Sequence, residues 1–177
     1  MTTSDVSVRV AWAADAPAIA DVQLRGWYGA GLAAELERRG LGPLDLAEQW
    51  RATLSRPPEA RYRALVALAH DRVAGFALTG PSSDPDADPA VDGEVADFVV
   101  DPEQTRGGHG SRLLQACADT LAADGFTRAT WWVTSTDDVL RTFLTEAGWA
   151  PDGAARELEG EAGEGSLKQV RLHTALA

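Results

Sequence analysis

A mixed α/β sheet with helices on both faces is the fold class that three observations predict. Short alternating or β-branched runs recur along the chain, as half-buried strands require. Between several of them apolar residues fall at helical spacing. The composition is that of a packed globular domain, with 45% hydrophobic and 24% charged residues. A chain of 177 residues suits one domain over residues 1–177 and can bury roughly 70% of its unfolded surface.

The elements follow in order. Val6–Val10 alternates and reads as a first strand. Asp15-Ala16-Pro17 opens a helix, with Asp15 as N-cap and Pro17 in the first turn. Ile19, Val22 and Trp27 give it one apolar stripe, and Gly29 and Gly31 weaken its far end. Asp45 starts a second helix with Glu48 as capping-box partner. Its stripe is Leu46, Trp50 and Leu54, and Pro57-Pro58 close it. Arg61–Ala69 and Val73–Gly80 form a hairpin around His70-Asp71-Arg72. The segment 81–93, rich in Pro, Asp and Ser, is a loop. Glu94–Val100 is a strand ended by Asp101-Pro102, and Thr105–Gly110 is a glycine-rich turn. Leu113, Leu114, Cys117, Ala118 and Leu121 mark a helix stopped by Gly125. Thr127–Thr134 is a strand centred on Trp131-Trp132-Val133. Val139, Leu140, Phe143 and Leu144 mark a helix with Gly148 at its C-cap. The tail 155–177 reads as two strands around 160–165.

Charge and composition exclude several function classes. There are 16 basic and 27 acidic residues, a net charge of −11, which argues against a nucleic-acid partner. A cationic or amine partner suits that field. Of the basic residues only Lys168 is a lysine. No apolar run approaches the ~20 residues of a membrane span, and the first residues carry no secretory pattern, so the expected location is cytoplasmic. Three scattered histidines, His70, His109 and His173, with the single Cys117 predict no metal site. Asp84-Pro85-Asp86-Ala87-Asp88 resembles a calcium loop only at its start. Pro89 stands where such a loop needs glycine and Val95 where it needs glutamate, so a solvated acidic loop is expected. Cys117 lies on the apolar helix face and reads as a buried, inert thiol.

The segment with chemistry in it is Val99 to Leu114, which includes Thr105-Arg106-Gly107-Gly108-His109-Gly110-Ser111-Arg112. A strand, a tight glycine turn and a helix N-terminus point successive N–H groups and the positive end of a helix dipole at one spot. That is a phosphate cradle. No Gly-Lys-Ser/Thr follows, which excludes a P-loop, and Leu113 replaces the third glycine of a dinucleotide fingerprint.

This string resembles the acetyl-CoA site of the GNAT family of N-acetyltransferases, whose signature Gln/Arg-x-x-Gly-x-Gly/Ala falls on Thr105–Gly110 after Val100-Asp101-Pro102. Trp132-Val133, Asp137, Phe143 and Gly148-Trp149-x-Pro151-Asp152-Gly153 are similar to the family's second half. The resemblance implies a mostly antiparallel central sheet and acetyl-CoA as co-substrate, without metal. It implies pantetheine contacts from Phe98, Val99 and Val100, with a backbone N–H near Val100 polarising the thioester carbonyl. Thr105, Arg106, Gly107, Gly108, His109, Gly110 and Ser111 would hold the pyrophosphate, and His109 would be exposed at the cofactor mouth. Asp137 takes the place of a frequent asparagine. Glu94 is the implied base, acting through water, with Asp97 as second candidate. Their odd spacing places the two on opposite sheet faces. Trp27 and Tyr28 would border the acceptor pocket. Leu144 stands where many members carry the tyrosine that protonates the leaving thiolate.

The implied function is acetyl transfer from acetyl-CoA to a primary amine of a small molecule or peptide, by a monomer or homodimer without nucleic-acid or membrane partners. The alternatives are a non-catalytic acyl-CoA-binding module, an acyltransferase using another acyl chain or a hydroxyl acceptor, and a nucleotide-binding protein.

Overall fold

The computed structural model describes residues 6–105, 107–159 and 165–177. The strands are β1 (Val6–Val10), β2 (Arg63–Ala69), β3 (Arg72–Pro81), β4 (Asp92–Val100), β5 (Arg128–Thr134), β6 (Ala150–Leu158) and β7 (Leu167–Ala175). The helices are α1 (Ala16–Gly29), α2 (Ala33–Arg39), α3 (Pro43–Ser55), α4 (His109–Ala123) and α5 (Asp138–Glu146). One sheet contains all seven strands in the order β1-β2-β3-β4-β5-β7-β6. Neighbours are antiparallel except β4 and β5, which are parallel. The expected mixed, mostly antiparallel α/β sheet is what the chain forms. Among the described residues no helix is long and apolar enough to cross a membrane.

Period-two alternation sends side chains to two cores. On one face Leu65, Ala67, Ala77, Val95, Trp131 and Val133 pack with Leu113, Cys117 and Leu121 of α4 and Leu144 of α5. On the other, Val66 and Phe76 pack with Ile19, Val22, Leu46 and Trp50 of α1 and α3. Cys117 is fully buried, and burial pushes its thiol up to about 12.

The structure corrects four local readings. Asp15 holds the N-cap position of α1, as expected, with Pro17 in the first turn, but it also ends a one-turn 3₁₀ segment and its side chain is turned to other partners. Its carboxylate accepts from the Trp12 N–H at 2.6 Å and pairs with Arg9 at 2.7 Å, leaving α1 without a side-chain cap. α3 begins two residues before Asp45, because Pro43 suits the first helical position and Asp45 reaches back to the Gly42 N–H at 3.0 Å. α2 has no counterpart in the sequence reading: it is one short helix with a single buried residue, Leu36, too few to print a stripe. β6 begins at Ala150, well before residue 155, with an irregular register between Pro151 and Ala155.

The loop after β3 is not a solvated acidic segment. It is a strap clipped to the sheet. Arg171 of β7, only 7% exposed, contacts Asp84 at 3.0 Å, Asp86 at 2.8 Å and Asp152 at 2.5 Å. Asp84 also accepts from the Trp132 indole N–H at 2.9 Å. Arg128 contacts Asp152 at 2.7 Å and Asp92 at 3.4 Å. Trp132 therefore serves this polar face, while its neighbour Trp131 serves the apolar core.

The end of β4 is held separately. Asp101 is 2% exposed and binds Arg25 of α1 through Nε and Nη2, the shorter contact 2.7 Å. It also accepts from the Glu103 N–H at 3.0 Å. Burial pulls its carboxyl upward, but Arg25 and Glu103 outweigh this and hold it below the ordinary carboxylate range. Asp101→Asn should cost about 2 kcal/mol in urea denaturation, since a buried charge-assisted contact is lost. The carboxylate stabilises fully above its unfolded value near pH 4 and stops doing so as pH falls through the lower folded value. The variant's stability should thus vary less across that acid range than the wild type's. Cys117 should resist a thiol reagent at pH 8 in the folded protein and react only after denaturation; rapid native labelling would contradict its burial.

Candidate active site

The site forms where the sheet comes apart. β4 and β5 pair over only three positions, Asp92–Arg128, Gly93–Ala129 and Glu94–Thr130. Beyond Glu94 the strands separate, and the β5-facing backbone of β4 has no strand partner. The register against β3 also slips between Phe76 and Leu78. Asp97 occupies the slip with a φ of +49°, a left-handed conformation that non-glycine residues adopt at a cost.

A cleft of about 560 Å³ opens along this divergence. Phe98, Val99, Val100, Thr105, Gly110 and Asp137 line it, so six residues marked by the sequence come together in one place. Its other walls are Pro102 and Phe143, which carried the family resemblance, and Gly26 and Gly29 of α1 with Val139 and Leu140 of α5, which sequence reasoning did not place at the site. Gly26 carried a usable signal, a glycine inside an apolar-periodic helix. A Cβ there would stand 3.0 Å from Val99 Cγ1, so α1 needs a glycine to lie this close to β4. The floor is a row of rings, with Phe98 4.9 Å from Trp131 and 6.4 Å from Phe143 between centroids.

The glycine turn stands at the cleft's end. Gly108 is the N-cap of α4 with a φ of +77°. Gly107 is required for a different reason: a Cβ on it would meet His109 Nε2 at 2.5 Å. His109 is therefore not exposed at the mouth. It is buried as the first residue of α4, folded under Gly107, and its Nδ1 has no hydrogen-bond partner among the described residues. Ser111 is exposed on the first turn of α4. Arg106 lies outside the described residues, as do residues 160–164 of the expected final turn. Asp137 uses its carboxylate to cap α5, accepting from the Leu140 N–H at 3.1 Å. Leu144 is fully buried in the core and does not line the cleft; Val139, Leu140 and Phe143 of α5 do.

The chain matches the model of the acetyltransferase (GNAT) family over residues 23–149. The chain belongs to that family. No curated protein matches its sequence. Solved structures do. A GCN5-related N-acetyltransferase from Kribbella flavida is 25% identical, with a TM-score of 0.73 over 99% of this chain and 100% of that one. A ribosomal-protein-alanine N-acetyltransferase from Brucella melitensis is 18% identical, with a TM-score of 0.74 over 96% and 99% of the two chains. An acetyltransferase from Salmonella typhimurium, solved with its cofactor acetyl-CoA, is 18% identical, with a TM-score of 0.70 over 98% and 95%. This GNAT chain is thus an acyltransferase by family, and the structures below 25% identity share its fold.

Two carboxylates stand near the divergence. Glu94 is the last β4 residue paired with β5 and is half-buried. Burial raises its carboxyl, and the like charge of Asp84 adds to this, while the Ser83 N–H and hydroxyl and the charge of Arg156 pull it back down. Asp97 is also raised by burial, although its side chain stays exposed to solvent. The register slip overturns the simple alternation beyond residue 96. Glu94 and Ala96 share a face with Val99, which packs toward α1, whereas Phe98 joins Val95 on the α4 face. Trp27 is half-buried beside a second cleft of about 690 Å³ against α2, and Tyr28 is exposed beside it in sequence. No group of three or more His, Cys, Asp or Glu side chains among the described residues could hold a metal ion.

Gly107→Ala should weaken coenzyme A binding by about tenfold or more in calorimetry, because the His109 ring must move and take the start of α4 with it. Adding His109→Ala should restore most of the loss. A double variant as weak as the single one would separate the glycine from the histidine.

Proposed function

We propose that this GNAT domain, over residues 1–177, is an N-acetyltransferase that moves the acetyl group of acetyl-CoA to a primary amine of a small molecule or peptide. The observation that carries the reading is the divergence of β4 and β5, with Glu94 at its closed end and the start of α4 at its mouth. The cleft suits the co-substrate: a space of about 560 Å³ with unpaired β4 backbone groups along one side and free helix N–H groups at one end can take a pantetheine arm and a pyrophosphate. Acetyl-CoA, when bound, supplies the activated acyl group.

In this reading the backbone of Phe98, Val99 and Val100 orients the arm, and a Val100-region N–H supports charge developing on the carbonyl oxygen. Thr105 and Gly107–Ser111, with Arg106, hold the phosphates, and Asp137 fixes the α5 wall. Trp27 and Tyr28 border the acceptor. The acceptor enters as an ammonium and must lose a proton. Glu94 accepts it through a water molecule; Asp97 is the second candidate. The neutral nitrogen then attacks the thioester carbon, the N–C bond forms and the C–S bond breaks; the nitrogen gives up its second proton, which water relays to the departing thiolate. A thiol with a pKa near 8.5 is a tolerable leaving group, and water supplies its proton, since the buried Leu144 provides none. Burial of Glu94 suits this role, because a carboxyl raised toward neutrality accepts a proton more readily.

Glu94→Gln should lower turnover by ~10²-fold or more with little change in coenzyme A affinity. The wild-type rate should fall on the acid side with a midpoint above the usual carboxylate range, and the variant should lack that limb. A raised folded pKa means that ionised Glu94 costs stability once pH exceeds its unfolded value, so Glu94→Gln should also be more stable at pH 7. Equal turnover by both proteins across pH 6–9, with a panel of amines, would remove Glu94 from the chemistry. Binding of acetyl-CoA without turnover of any amine would favour the non-catalytic binding module.

A further inference from the structure

The sheet face that carries Glu94 also carries Trp132 and Arg156, and the register shows it. Glu94 pairs with Thr130, and Trp132 lies two residues on along β5, hence on the same face. Trp132 pairs with Arg171, whose neighbour on that face, Gln169, pairs with Arg156 of β6. The guanidinium of Arg156 is 4.2 Å from the Trp132 ring centroid, and its Nε donates to Gln169 at 2.7 Å. Stacking and one hydrogen bond hold the planar group in place and leave its terminal nitrogens free to donate. They have no carboxylate partner among the described residues. The carboxylates around them are engaged elsewhere: Asp84 with Trp132 and Arg171, Asp152 with Arg171 and Arg128. Arg156 is close enough to Glu94 to draw its carboxyl down, yet the two make no ion pair.

A stacked cation without a counter-ion among the described residues, beside a half-buried carboxylate on one face, is the charge pattern of a zwitterion in negative. We infer that Arg156 is a specificity-determining residue: its free guanidinium nitrogens bind the carboxylate of an amino-acid acceptor whose amine faces Glu94. The inference rests on the amine-acetylating reading above and narrows its acceptor from any amine to an amino carboxylate. The net charge of −11 alone would favour a purely cationic acceptor, but Asp84, Asp86, Asp92 and Asp152 on this face are paired with Arg128 or Arg171. A bidentate charge-assisted contact is among the stronger polar interactions, and the exposure of Arg156 to solvent moderates it.

The test uses matched pairs of probes, α-amino acids and the amines that differ only by loss of the carboxylate. The wild type should acetylate at least one amino acid with kcat/KM about tenfold or more above its partner amine. Arg156→Gln should reduce that ratio at least fivefold, mainly through the KM of the amino acid, and Arg156→Lys should recover part of it. Calorimetry of the same pairs on the coenzyme A complex reads the preference without turnover. A ratio near one in the wild type, a preference for the amines, or a ratio unchanged by Arg156→Gln would overturn the inference while leaving amine acetylation standing. Carboxylate-selective binding without acetylation would uphold the role of Arg156 and fail the catalytic reading instead.

Discussion

The parallel pairing of β4 and β5 stops after three positions, and the rest of the molecule is arranged around that interruption. Two strands that part company leave backbone donors and acceptors with no partner in the sheet, a cost the fold must localise. It does so by fastening everything on either side. Arg25 and Asp101 tie the free end of β4 to α1, Gly26 lets α1 lie against Val99, and the Phe98, Trp131 and Phe143 rings brace the gap from below. The glycine turn and α4 follow directly from that fastened end. The opening is consequently a rigid wedge between held elements, suited to a ligand that completes the missing backbone contacts.

Most of the strands and the four longer helices were legible because each obeys one period over enough residues to be counted. α2 was not, since a helix with one buried residue has no period. The central motif was legible because its glycines answer local demands, a left-handed cap at Gly108 and a close approach at Gly107. What remained hidden depends on contacts between distant positions. The strap looked like a solvated loop because its aspartates find their arginine, Arg171, 85 and 87 residues along the chain. The facing of Asp97 and its neighbours could not follow from alternation, because one register slip in β4 resets the count. The burial of Leu144 and the inward turn of His109 likewise depend on how α5 and α4 sit against the sheet.

Trp131 and Trp132 show how one strand serves two tasks. Adjacent in sequence, they enter opposite faces. Trp131 joins Phe98 and Trp149 in the apolar core. Trp132 has Arg156 over its ring, donates to Asp84 and lies 5.5 Å from the Arg171 guanidinium carbon. The first ring stiffens the floor of the cleft. The second turns the opposite face of the same strand into a polar platform, with Glu94 at its edge.

The burial of Arg171 has a consequence for the response to ionic strength. Dissolved ions screen charges they can approach, such as the exposed pairs of Glu35 with Arg38 and Arg39 on α2. They cannot readily enter between Arg171 and the carboxylates of Asp84 and Asp152, whose side chains are only 7% exposed. Added electrolyte therefore acts unevenly on this chain. It relaxes mutual repulsion among the solvent-facing carboxylates of a strongly anionic surface, while the strap stays clamped, so the face beside Glu94 keeps its shape in brine that loosens the periphery.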